Sequence, residues 1–273
     1  MMNLNTVKDY SSKGFVVIKE LVNPDEVKRY TEIAERYDPK NSTNVNVHYF
    51  ADYFRFFDPR VYPSLFKWLN LKYFLDSYFL ISRSKTKSWR SKVPSFSEKN
   101  FNSVSRIDSY ISRKTEESIT EWHTDQAFGG ATHPAEFFGG TKGIVPTKNI
   151  NKLFLHITDV RYKNGSFSYM PFSHKINLAI RELINKDIIK YKPFLLLQDA
   201  IKLVEIDHKN AFLQILKKEE IDFFVEKGKK ALESDEEFVI ECNAGDAILF
   251  NDFGYHKGTA PEESNRIIFR YFY

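Results

Sequence analysis

The stretch AGDAILFNDFGYHKGTAPEESNRIIFRYFY, Ala244 to Tyr273, carries two strands, two turns, a histidine and two arginines in thirty residues. Asn243-Ala244-Gly245-Asp246 has turn chemistry and feeds the apolar run Ala247–Asn251. A glycine-bearing exit then sets His256 at a strand end, and Gly258-Thr259-Ala260-Pro261 turns the chain again. Arg266 to Tyr273 alternates as a strand should, so Arg266, Ile268 and Arg270 share one face while Ile267 and Phe269 take the other. This is the texture of an antiparallel β-protein.

Working outward, the same texture recurs at Ile107 to Ser112, Lys152 to Val160, Ser166 to Met170 and Phe238 to Cys242, with a turn at Asn164-Gly165. Many short strands with tight turns predict an antiparallel sandwich or barrel. On the N-terminal side, Gly14 to Lys19 is a β-branched strand, and Asn23-Pro24-Asp25-Glu26 is a helix start with an amide N-cap and a first-turn proline. Val27, Tyr30, Ile33, Ala34 and Tyr37 then follow at helical spacing, and a second helix is expected over Pro63 to Leu80. These elements, residues 1–82, read as scaffold to a β-core over 104–273.

Two segments interrupt the core. Ala127 to Pro146 holds five of the chain's 11 glycines, as a loop over a site would. The insertion over about 175–232 opens with a helical pattern at Ile180, Leu183, Ile184, Ile188 and Tyr191, and its later lysines and glutamates read as a solvated face. Without a linker or repeat, one domain over 1–273 is expected.

Composition narrows the function. A formal net charge of +4 is too mild to indicate nucleic acid, so none is expected as a partner. No apolar run reaches the roughly 18 residues of a membrane span, and the first residues lack a signal-peptide core. With Cys242 as the one cysteine, no internal disulfide can form, which suits a reducing compartment; a cytoplasmic protein is expected. One local excess stands out: Arg83, Lys85, Lys87, Arg90, Lys92, Lys99 and Arg106 against Glu98 alone, a solvated loop or a rim that steers anions.

The chemistry starts at ITEWHTDQ, Ile119 to Gln126. His123 is the one histidine followed two residues later by a carboxylate, Asp125. Side chains two apart on an extended strand project from one face, so His123 and Asp125 can reach one ion, with Thr124 pointing away. His256 is the best third ligand. Two histidines and a carboxylate leave open positions on an ion, which suits non-haem Fe(II), although zinc accepts the same donors. Arg266 tilts the choice, because an arginine aimed into an apolar barrel demands an anion and its fork matches a carboxylate. Other polar residues are second candidates: Ser109, Tyr110 and Arg113 for pocket lining, His156 and His174 as hydrogen-bonded core histidines, and Trp122 as packing against the barrel rim.

Taken together, YSSKGFVVIKELVNPDEVKRY, WHTDQ, FLHITDVRYKNGSFSYMPFSHK and the closing stretch resemble, in order, the phytanoyl-CoA dioxygenase (PhyH) family of Fe(II)- and 2-oxoglutarate-dependent oxygenases. The resemblance implies a double-stranded β-helix, a jelly-roll or cupin-like barrel, with flanking N-terminal helices and a helical insertion. It implies His123, Asp125 and His256 as the catalytic metal ligands and Arg266 as partner of the distal carboxylate of 2-oxoglutarate. Fe(II), 2-oxoglutarate and O2 would then oxidise a small-molecule substrate, with release of succinate and CO2. Asp125 weighs against halogenation, since related halogenases replace that carboxylate with a small residue. Phe172 departs from the family's usual glycine in its Gly-Ser-His-Lys segment, which puts the local turn in question. Two other readings stay open here: a jelly-roll metal protein working without 2-oxoglutarate, as a cupin-like isomerase or oxygenase does, and a non-catalytic ligand-binding jelly roll.

Overall fold

The computed structural model describes residues 4–37, 46–49, 106–112, 121–124, 145, 147, 151–192, 195–234 and 236–272. Asp125, Arg113, the helix expected over Pro63 to Leu80, the glycine-rich loop up to Val145 and the basic segment up to Lys99 lie outside these residues.

A helix not foreseen from sequence, α1 (Leu4–Lys13), precedes the first strand, β1 (Phe15–Ile18). Gly14 joins them. Its N–H donates to the Tyr10 carbonyl at 2.8 Å and its φ is +88°, the left-handed stop that ends many helices. A side chain there would also collide with His174 and Tyr169. Next, α2 (Pro24–Tyr37) begins where the sequence places it: Asn23 Oδ1 accepts the Glu26 N–H at 2.9 Å, and Glu26 Oε2 accepts the Asn23 N–H at 3.2 Å. Tyr30 of this helix packs edge-on against Phe269.

The strands form two antiparallel sheets. With β2 (Asn46–Tyr49), β3 (Arg106–Ser112), β4 (Asn151–His156), β7 (Ala247–Asn251) and β9 (Arg266–Phe272), the larger runs β1-β7-β4-β9-β3-β2. The smaller joins β6 (Val239–Ile240), β5 (Phe167–Tyr169) and β8 (His256–Gly258) in the order β6-β5-β8. Several strands are shorter than expected, β1 and β5 by a residue at each end, β4 and β6 by more. The strand expected over Lys152 to Val160 ends at His156, leaving Val160 to bridge to Cys242, and the strand expected from Phe238 begins one residue later because Phe238 sits at φ 62°. Between the sheets, Phe154, Phe167, Tyr169, Ile248 and Phe250 pack with Phe15 and Val17. The opposite face of the large sheet holds Leu153, Leu155, Leu249 and Phe269, all buried.

The insertion is more than a solvated face. Helices α3 (Ser173–Asn185), α4 (Leu197–Lys202), α5 (Lys209–Leu213) and α6 (Lys218–Glu233), with a π-turn at Leu203–Asp207, bury Ile180, Leu183, Leu197, Phe212 and Phe224 in a second core. The charged residues of α6 do face solvent, as in the exposed Lys230–Glu226 pair. Phe172, before α3, adopts φ 66° and ψ −11°, so the left-handed position where the resemblance expects a glycine is filled by a residue with a side chain. Contacts of Phe172 with Phe223 and Lys175 hold it there against the steric cost of that region. Among the described residues, no helix is long and apolar enough to cross a membrane.

Candidate active site

His123 and His256, far apart in sequence, meet as a cross-strand pair. The His123 N–H donates to the His256 carbonyl at 3.0 Å and the His256 N–H to the His123 carbonyl at 2.9 Å. Residues exchanging both bonds lie directly opposite, with side chains on one face. Their ring centroids are 4.7 Å apart. His256 is buried and His123 half-buried, so the pair opens outward on the His123 side.

The tautomers follow from the backbone. His123 Nδ1 lies 2.8 Å from the Glu121 carbonyl oxygen, and His256 Nδ1 lies 2.9 Å from that of Gly254. A carbonyl can only accept, so each Nδ1 carries the hydrogen and each Nε2 carries the lone pair. That is how metal-binding histidines are ordinarily oriented. The donor set therefore fits a divalent ion that takes two imidazole nitrogens and a carboxylate. Among the described residues no three His, Cys, Asp or Glu side chains converge; Asp125, the carboxylate expected here, lies outside them.

What holds the pair is the insertion, which sequence reasoning missed. Trp122 packs into the insertion's core and its Nε1 donates to the Ala231 carbonyl at 2.9 Å, at the end of α6. It packs on the barrel as expected, with Lys257 of β8 over its ring at 5.2 Å and Phe238 edge-on to it, and adds this bond to the insertion. Tyr255 is buried in the same core, its N–H donating to Ser173 Oγ at 2.8 Å and its hydroxyl to the Leu195 carbonyl at 3.2 Å. The residue preceding each histidine is thus pinned to the helices. The presence of Trp next to the His-x-Asp box was the available signal.

Around His256 the wall is apolar. Phe167 and Phe250 lie 5.5 and 5.4 Å away between ring centroids, and Tyr169 stacks parallel at 6.5 Å. Tyr169 donates its hydroxyl to the Asn251 carbonyl, and burial raises its pKa, so it stays a neutral phenol.

Arg266 is buried and its Nη1 donates to the Gly165 carbonyl at 2.8 Å. Gly165 has φ +76°, and a Cβ there would stand 2.7 Å from Arg266 Cδ, so the Asn-Gly turn doubles as the cradle of the arginine. Arg270, half-buried, follows four residues on, on the same strand face. In register, Tyr110 stands opposite Ile268 and Ser109 opposite Phe269.

Of the two histidines expected to be hydrogen-bonded in the core, His174 is, through the Ser11 backbone, and His156, among the described residues, is not. Burial and the Arg266 cation push the His156 pKa down to about 3, yet among the described residues neither of its ring nitrogens has a hydrogen-bond partner. A hydrogen-bonded core histidine was expected. The cross-strand carboxylate that might have paired with it, Asp246, is already held by Lys19 Nζ at 2.8 Å and by the Glu20 and Asn243 N–H groups. His174, lowered to about 4 chiefly by burial, packs beneath Gly14.

The family model described as phytanoyl-CoA dioxygenase (PhyH) matches residues 10–264 of the chain. No curated protein sequence matches it. Among solved structures, HygX from Streptomyces hygroscopicus, with nickel and 2-oxoglutarate bound, is similar at a TM-score of 0.49 and 14% identity, covering 100% of this chain and 87% of its own. The α-ketoglutarate-dependent carbocyclase SnoK from nogalamycin biosynthesis gives 0.48 and 14%, covering 100% and 83%. The epimerase SnoN, in complex with Fe3+, α-ketoglutarate and nogalamycin RO, gives 0.47 and 11%, covering 98% and 81%.

Proposed function

The chain belongs to the phytanoyl-CoA dioxygenase (PhyH) family, and from that premise we propose that it is an Fe(II)- and 2-oxoglutarate-dependent dioxygenase acting on a small molecule. Its core is then a double-stranded β-helix, its metal ligands His123, Asp125 and His256, and its co-substrate anchor Arg266. The observation that carries this reading is the opposed histidine pair with both Nδ1 atoms held by backbone carbonyls.

Iron with 2-oxoglutarate and O2 supplies the oxidising equivalent: one oxygen atom leaves in succinate as CO2 is lost, and the other enters the substrate C–H bond. The chain's part is to bind and orient. His123 and His256 offer Nε2 lone pairs that are fixed before the ion arrives, which lowers the reorganisation that binding requires. Phe167, Phe250 and Tyr169 keep the His256 side dry, strengthening electrostatic contacts within it. Arg266 supplies a buried cation whose planar fork matches a carboxylate, which favours a reading with 2-oxoglutarate.

Hydroxylation is the proposed outcome, because Asp125 keeps the carboxylate that halogenases lack. A polar or anionic substrate is proposed from the basic segment Arg83 to Arg106. The test is an anaerobic titration: adding 2-oxoglutarate to the Fe(II) protein should produce the visible iron-to-keto-acid charge-transfer band. Metal-replete protein without that band would exclude the proposal.

A further inference from the structure

His156 occupies a place where a histidine is costly. It is 1% exposed, and among the described residues both ring nitrogens lack hydrogen-bond partners. A buried polar group left this way destabilises the fold unless something else completes it, so it calls for a water or a ligand.

Its location says which. On β4, His156 stands opposite Ile268 of β9, and Arg266 is two residues from Ile268 on the same strand face. The two side chains are therefore diagonal neighbours, a relation that sets Cβ atoms about 7–8 Å apart. The strand alternation that sends Leu155 to the opposite side puts His156 with Phe154, which packs in the cluster between the sheets. His156 and Arg266 thus face one compartment, shared with the aromatic wall of His256.

The chemistry of the two groups is complementary. Arg266 brings a fixed positive charge, and the same charge, with burial, keeps the imidazole neutral. A neutral imidazole has one N–H to donate and adds no further charge. A single carboxylate between them matches the guanidinium and accepts from both. A second cation in place of the imidazole would overcharge that site; a second carboxylate would block it.

We propose that His156 is a binding residue for the distal carboxylate of 2-oxoglutarate, donating an imidazole N–H to it beside Arg266. This rests on the co-substrate reading above and extends it to a residue outside the metal-ligand and arginine set. It makes the site selective for keto acids that end in a carboxylate, since one that ends in a methyl group leaves the imidazole unsatisfied.

The experiment compares 2-oxoglutarate with 2-oxopentanoate, which carries a methyl where the distal carboxylate stands. Affinities of both are measured anaerobically on the Fe(II) protein for the unsubstituted chain, His156→Leu and His156→Gln. His156→Leu should weaken 2-oxoglutarate about tenfold, the size of one hydrogen bond to a charged group, and leave 2-oxopentanoate unchanged. His156→Gln, which keeps an N–H donor, should recover part of the loss. Should His156→Leu fail to fold, ring 15N resonances of the Zn(II)-loaded unsubstituted protein decide: those of His156 should shift with 2-oxoglutarate and not with 2-oxopentanoate. Equal weakening of both keto acids, unchanged 2-oxoglutarate affinity or unmoved His156 resonances, as an imidazole satisfied by water alone would give, overturns the assignment. A normal band in the unsubstituted protein with any of these results removes His156 only, whereas no band at all removes the co-substrate reading as well.

Discussion

Two groups of histidine in this molecule are built in opposite ways. At His123 and His256, every Nδ1 is held by a carbonyl two residues back, and the residue before each ring is locked into the helical insertion. At His156, neither ring nitrogen is held by the described residues, although the ring is more deeply buried than either of that pair. A held Nδ1 fixes a lone pair in advance and suits a metal; an unheld buried ring suits a ligand that arrives with its own acceptor. The difference teaches that burial alone does not assign a histidine; what its second nitrogen touches does.

The comparison breaks first at the metal end. His256→Ala should lower Fe(II) affinity by at least about 100-fold, beyond the 10–100-fold typical of losing an outer partner, as read by calorimetric titration of the anaerobic protein. Retained iron binding would show that the opposed pair is structural.

At the other end, Gly165→Ala forces a Cβ against Arg266 Cδ at a positive φ. It should cost about 2 kcal/mol in stability and weaken 2-oxoglutarate while iron affinity stays the same. Urea melts and the charge-transfer titration read the two effects separately.

Acid should find the buried histidines before it reaches most carboxylates. His156 and His174 are lowered to about 3 and about 4, so the folded chain refuses protons that the unfolded chain accepts. Stability therefore rises with pH between those values and the unfolded histidine value of about 6.5, by up to about 1.4 kcal/mol per pH unit for each ring. It is fully present above about 6.5 and lost as pH falls. His156→Leu should flatten the slope of denaturation midpoint against pH in that window; an unchanged slope would mean the ring is not buried neutral.

Much of this arrangement was legible. The strand at Arg266–Phe272 and the Asn23 cap each depend on a few adjacent residues and are found where local chemistry puts them, whereas His256, expected at a strand exit, opens a short strand of its own. What could not be read depends on partners distant in the chain. Trp122 reaches a carbonyl at Ala231, and whether His156 finds an acceptor turned on Asp246 being taken by Lys19. The insertion was misread in emphasis because its lysines and glutamates mask an apolar face that only packing reveals. Gly165 looked like turn chemistry alone until Arg266 lay across it.

Smaller effects sharpen the comparison. Trp122→Phe removes the donor to Ala231 and keeps the ring, so it should cost about 1 kcal/mol and loosen iron binding only slightly, by calorimetry. Phe172→Gly relieves the left-handed strain but gives up contacts to Phe223 and Lys175, so stability should change by less than about 1 kcal/mol in thermal melts.

The most direct measurement is an anaerobic crystal structure with iron and 2-oxoglutarate, the metal located by anomalous scattering at the iron edge. The predicted result is iron bound through Nε2 of both His123 and His256 and through Asp125, with both Nδ1 atoms still on the carbonyls of Glu121 and Gly254. Iron bound through either Nδ1, or bound away from the histidine pair, would contradict the account.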